Sequence, residues 1–127
     1  MNGPPDAVAY WRRHIARSPQ FSAECECVAV ILLNSRMRMR GHHIVSVGSL
    51  NQAMAEPREV FRLAVMAAAH SVILMHNHPS GEPDPSGADC RITRNLRDAG
   101  SILGIPLVDH IIVGQGNYFS FAEHGSL

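Results

Sequence analysis

The feature that most constrains the fold is a change of character across residues 71–89. The run Ser71-Val72-Ile73-Leu74-Met75 is apolar at nearly every alternate and intervening position. A strand of that kind needs cover on both faces, so it belongs inside a sheet with helices around it. It ends in His76-Asn77-His78, and the loop at 77–87 holds three prolines and two glycines. Proline fixes φ and narrows the unfolded ensemble, so such a loop tends to hold one shape. An amphipathic run follows over residues 88–103, with Ile92, Leu96, Ala99 and Leu103 on one face. Arg91, Arg94 and Asp98 fall off that face.

The flanking segments complete a mixed α/β pattern. Residues 7–17 suit a short helix, with Val8, Trp11 and Ile15 as its apolar stripe. Arg12, Arg13 and Arg17 lie largely off that stripe and read as a solvated face. Residues 25–33 read as a buried strand and 37–47 as a second one, joined by the turn signal Asn34-Ser35-Arg36. Gly48-Ser49 breaks the second strand. A helix is expected over 57–69, with Pro57 at its first position and Val60, Phe61, Ala64, Val65 and Ala68 facing inward. Gly104 suits a C-terminal cap for the helix at 88–103. Strands at 107–113 and 118–121 follow, around the turn 114–117.

The 127 residues make one ordinary domain, able to bury about two-thirds of its unfolded surface without help from a disulfide. A formal net charge of zero argues against a dedicated nucleic-acid binder. All 11 basic residues are arginine, which rules out Schiff-base chemistry on a lysine. Cys25, Cys27 and Cys90 form neither a disulfide framework nor a zinc knuckle. Residues 1–6 lack a signal-peptide pattern, and the longest apolar run, 63–69, is too short to cross a bilayer. These features predict a cytoplasmic, reducing location and no membrane partner.

The chemistry gathers at the central stretch. Period-two geometry points His76 and His78 to one face of a strand. Asp89 falls in the first turn of the following helix. Two imidazoles and a carboxylate are suitable zinc ligands, and three protein ligands leave a position for water. Ser86 and Asp89 also match a capping box, and the two readings are compatible. A hydrolytic metal site needs a proton acceptor. Glu24, Glu26, Glu82, Asp84 and Asp109 are candidates. Glu26 stands out, because a carboxylate within an otherwise apolar strand is costly unless something there uses it.

This constellation resembles the JAMM (MPN+) metalloprotease signature, and within it the bacterial RadC-like family. The matching segments are Glu26, Pro57-Arg58-Glu59-Val60-Phe61, His76-Asn77-His78-Pro79-Ser80-Gly81, Ser86-Gly87-Ala88-Asp89, 107–114 and 120–123. The resemblance implies an α+β fold: a single JAB/MPN-like domain over 22–127, with a mixed β-sheet flanked by helices in cytidine-deaminase-like layering. Residues 1–21 would form a helical extension. It implies one Zn2+ ion held by His76, His78 and Asp89, with Glu26 as general acid/base and Ser86 as hydrogen-bond donor to the developing oxyanion. The implied activity is hydrolysis of a peptide or isopeptide bond in a peptide or protein substrate. The alternative is a DNA repair-associated role, linked to nucleic acid or non-catalytic.

Other polar residues carry plainer readings. His42 and His43 are adjacent, so on a strand they face opposite ways. His70 reads as a helix-end residue suited to the dipole. Cys25 and Cys27 lie opposite Glu26 as buried inert thiols. Cys90 points away from the metal pocket around its helix, and His124 is an ordinary residue near the chain end. Strict alternation lets at most one of Asp109 and His110 support the metal site.

Overall fold

A computed structural model describes residues 1–48 and 55–127. The elements are α1 (Pro4–Tyr10), continued by a π-helical turn (Trp11–Ile15), then β1 (Glu26–Leu33), β2 (Met39–Gly48), α2 (Pro57–Met66), β3 (Ser71–Asn77), α3 (Gly87–Leu103), β4 (Leu107–Val113) and β5 (Tyr118–Ser120). The sheet order is β2-β1-β3-β4-β5. The apolar β3 is its central strand and is buried along its whole length. It pairs antiparallel with β1 and parallel with β4. The parallel pair needs a crossover, and α3 supplies it.

Helices cover both faces, which accounts for the two-sided apolar pattern of β1 and β3. On one face, Ala7, Val8, Trp11 and Ile15 pack with Cys27, Ala29, Ile31, Ile73, Met75 and Ile111. On the other, Val60, Phe61 and Ala64 of α2 join Ile92 and Leu96 of α3 against Val28, Val30, Val72 and Leu74. The architecture is the expected α+β type, with a five-stranded mixed sheet and three helices among the described residues.

Several boundaries move. The N-terminal helix starts at Pro4 and turns π-helical at Trp11. β1 begins at Glu26, so Glu24 and Cys25 precede the strand. β2 begins at Met39, because Met37 takes a left-handed conformation at φ 60°. Of the break expected at Gly48-Ser49, Ser49 lies outside the described residues.

The largest shift is in α2, which ends at Met66 rather than Ala69. Ala68 takes φ 53°, while Ala69 N donates to Ala64 O and Ala68 N to Val65 O. That is a Schellman closure with alanine where glycine is usual. His70 is therefore not a helix-end residue. It stands just before β3, with Nδ1 3.3 Å from Ser71 Oγ.

Candidate metal centre

Three side chains converge where β3 ends and α3 begins. The Nε2 atoms of His76 and His78 are 3.2 Å apart. His76 Nε2 is 3.3 Å from Asp89 Oδ1, and His78 Nε2 is 3.3 Å from Asp89 Oδ2. Among the described residues this is the one group of three or more such side chains close enough to hold a metal ion. His76 and Asp89 are buried, and His78 is partly open. A buried carboxylate between two imidazole nitrogens, all at near-contact spacing, fits a divalent cation chemically: two nitrogen donors and one oxygen donor.

Local structure delivers each group. His76 is in β3, buried beneath α3. His78 lies one residue past the strand, and its Nδ1 is 2.8 Å from the Glu82 carbonyl. A carbonyl only accepts, so Nδ1 is the donor and Nε2 is the ring nitrogen turned toward the cluster. Asp89 is the third residue of α3. The capping box expected from sequence is formed: Asp89 N donates to Ser86 Oγ at 3.1 Å, and Ser86 N donates to Asp89 Oδ2 at 2.9 Å. Burial opposes ionisation of Asp89, but the His76 ring and the Ser86 amide and hydroxyl outweigh it. The Asp89 carboxyl is held well below the usual carboxylate range. Capping residue and prospective ligand are thus the same side chain.

The proline-rich loop is pinned against the turn after β4. His78 N donates to Val113 O, and Gln115 N donates to Gly81 O at 3.0 Å. Gly114 permits this approach, since a Cβ there would stand 2.6 Å from Gly81 O. A cleft of about 200 Å³ runs beside His78, with Phe21, Ala23, Pro79, Gly81 and Gln115 among its lining.

The sheet register orders the candidate bases. Val28 stands opposite His76, so the two share a face, and Glu26 shares it two residues earlier. Glu26 is half-buried at the start of β1. Glu24, Glu82 and Asp84 are exposed. Asp109 is buried elsewhere: it accepts from Ser120 Oγ at 2.5 Å, His110 N at 2.8 Å and Ala122 N at 3.0 Å.

Of the Asp109-His110 pair, His110 reaches the cluster. Its Nε2 lies 2.9 Å from His76 Nδ1, and its Nδ1 lies 2.6 Å from Thr93 Oγ1. The ring stacks on Phe121 at 4.8 Å between centroids. Burial, reinforced by His76, pushes its pKa well below the ordinary histidine value, so the ring is neutral. Two residues here were not singled out from sequence. Thr93 is one turn beyond Asp89 on α3, a spacing that places both on one helix face. Asn77, between the histidines, bonds to the backbone of Cys25 and Cys27.

The remaining polar residues stand apart from the cluster. His42 Nδ1 meets the Tyr10 hydroxyl at 2.7 Å. His124 stacks on Phe119, and its Nδ1 is 2.9 Å from Ser120 O. All three cysteines are free, and burial pushes the Cys27 thiol up to about 11, which leaves it unreactive near neutral pH. Among the described residues, no helix is long and apolar enough to cross a membrane.

Comparison with known proteins places this geometry in a family. A UPF0758 protein of Thermotoga maritima is 48% identical over 104 residues, covering 82% of this chain and 47% of that protein. One from Trichlorobacter lovleyi is 53% identical over 102 residues, covering 80% of this chain and 44% of that protein. One from Chlorobaculum parvum is 45% identical over 127 residues, covering 100% of this chain and 55% of that protein. The chain thus spans about half the length of the curated relatives it matches. The profile of the RadC-like JAB domain matches residues 1–126, and the chain belongs to that family.

Proposed function

We propose that the protein is a zinc-dependent hydrolase of JAMM type that cleaves an amide bond, peptide or isopeptide, in a peptide or protein. The observation that carries this reading is the convergence of His76 Nε2, His78 Nε2 and the Asp89 carboxylate at 3.2–3.3 Å. Three protein donors leave a coordination position open, the arrangement of catalytic rather than structural zinc. The metal would supply Lewis acidity, making water a nucleophile near neutral pH.

The chain's own residues divide the remaining work. Glu26, on the sheet face of His76, accepts the proton of the attacking water and returns it to the leaving nitrogen. Ser86 Oγ accepts from Asp89 N, and its hydroxyl proton, which favours the Asp89 carboxylate at rest, turns to donate to the oxyanion. The cleft beside His78 gives an extended chain a place to lie across the site.

The test is metal content followed by turnover. Wild-type protein should bind one zinc, and His76→Ala and Asp89→Ala should each lose it. Full zinc retention in both variants sinks the site assignment. Glu26→Gln should keep zinc and lose about 10²–10⁴-fold in turnover on a panel of peptide and isopeptide-linked substrates.

A further inference from the structure

A proposed metal ligand, His78, forms part of the wall of the cleft at the end of β3, so a side chain that enters it sits beside the bond being cut. The cleft holds about 200 Å³, below the roughly 300 Å³ at which pockets for whole small molecules begin. It therefore takes one side chain of a longer chain rather than a complete ligand.

Most polar atoms of the wall are already engaged. Asn77 has both ends of its amide bonded to the backbone of Cys25 and Cys27. His78 has Nδ1 on the Glu82 carbonyl and Nε2 turned toward the cluster. Gly81 and Gly114 contribute no side chain. No aspartate, glutamate or arginine is among the residues that line the cleft. A charged side chain placed there would lose water without gaining a counter-charge.

Phe21 supplies the apolar surface. Its half-buried ring meets Trp11 edge to face, with centroids 5.9 Å apart and planes at 87°, and Phe21 N donates to Ser18 O at 3.0 Å. The ring is thus anchored on the N-terminal helical segment, ahead of β1. Ala23 and Pro79 extend the apolar wall at exposed positions.

We propose that this cleft is a subsite for an uncharged, bulky apolar side chain, aromatic or branched aliphatic, next to the scissile amide, with Phe21 as its specificity-determining residue. Calling the occupant a substrate rests on the hydrolase reading, whereas the preference itself needs neither metal nor turnover.

The experiment titrates N-acetyl amino-acid amides into the metal-free protein and follows backbone amides by ¹H–¹⁵N NMR. The phenylalanine and leucine derivatives should shift Gly81, Gly114 and Gln115. They should bind at least about tenfold more tightly than the glycine, aspartate and lysine derivatives. Ala23→Trp fills the cleft from an exposed rim position and should remove the preference. Phe21→Ala should cut the phenylalanine-to-glycine ratio about tenfold. If that variant does not fold, Ala23→Trp carries the test. Equal binding across the series, tighter binding of a charged derivative, or shifts that persist in Ala23→Trp overturn the proposal. In the zinc-loaded protein, cleavage of a peptide panel varied at the residues flanking the scissile bond should follow the same order. Cleavage without that order overturns the subsite and leaves the hydrolase standing. The binding preference without zinc uptake or cleavage overturns the hydrolase reading and leaves the apolar side-chain site standing.

Discussion

Asn77 brackets Glu26. Its Oδ1 accepts from Cys27 N at 2.7 Å and its Nδ2 donates to Cys25 O at 3.0 Å, so one side chain grips the backbone on either side of the glutamate. An N–H on one side and a carbonyl on the other fix the orientation of the amide. The residue between the two histidines thereby ties the end of β3 to the start of β1.

Replacing Asn77 by alanine leaves a buried N–H and a carbonyl without their partner. The expected cost is about 1–3 kcal/mol of stability, read as a lowered urea midpoint. His76, His78 and Asp89 are untouched, so zinc content at saturation should stay at one per chain. Turnover should fall through kcat, because the backbone beside Glu26 is released. Loss of zinc from Asn77→Ala would contradict this division of labour.

Asp109 gives a pH dependence with a definite sign. Burial raises its pKa, against the lowering effect of its bonds to Ser120, Ala122 and His110. The folded protein then holds the proton more tightly than the unfolded chain. Its contribution is fully present below the ordinary carboxylate range and is lost as pH rises through the raised titration. Asp109→Asn cannot titrate there. The stability of wild type relative to Asp109→Asn should therefore decline from acidic toward neutral pH in a series of urea unfolding curves. A difference that grows with pH would reverse the assignment.

The central stretch was legible because its chemistry is local. His76, His78, Ser86 and Asp89 lie within 14 residues, and strand and helix periodicities put them together without knowledge of the rest of the fold. Glu26 needed the β1–β3 pairing, which the sequence only suggested through a carboxylate in an apolar run. The choice between Asp109 and His110 was not legible. The β3–β4 pairing passes from Val72–Leu107 to Ile73–Asp109 and skips Val108. An inserted residue of this kind resets which side chain faces which way, and alternation cannot foresee it. The end of α2 departs from the sequence pattern for a different reason. Ala67-Ala68-Ala69 looks like continuing helix, but its own backbone bonds close it with an alanine in a glycine conformation, and the next residue, His70, already pairs through its N with Leu33 O.

Ala68 accordingly offers a stabilising substitution. A left-handed conformation costs an L-residue about 1–2 kcal/mol, which glycine does not incur. Glycine adds unfolded-state entropy worth up to about 1 kcal/mol. The relief is the larger effect, so Ala68→Gly should raise stability by a few tenths to about 1 kcal/mol. A thermal scan showing a higher Tm with unaltered zinc content would bear this out, and a lower Tm would refute it.

Gly114 links the turn after β4 to the loop that holds His78. A Cβ at this position would lie 2.6 Å from Gly81 O and 3.1 Å from Pro83 Cδ, and the first of these contacts is with rigid backbone. The Asn117 side chain, still closer to that Cβ, can turn aside, but the backbone contact forces the loop and the turn apart in Gly114→Ala. That loop also supplies the Glu82 carbonyl that orients His78 through Nδ1. Its displacement should loosen His78 while leaving His76 and Asp89, which are anchored in β3 and α3, in place. Zinc affinity should drop about 10-fold or more by chelator competition, the scale typical of losing a histidine's supporting partner. The core packing on both faces of the sheet is remote from the loop, so the urea midpoint of the metal-free protein should move far less than the affinity does. Equal losses in both would mean that Gly114 serves the fold rather than the site.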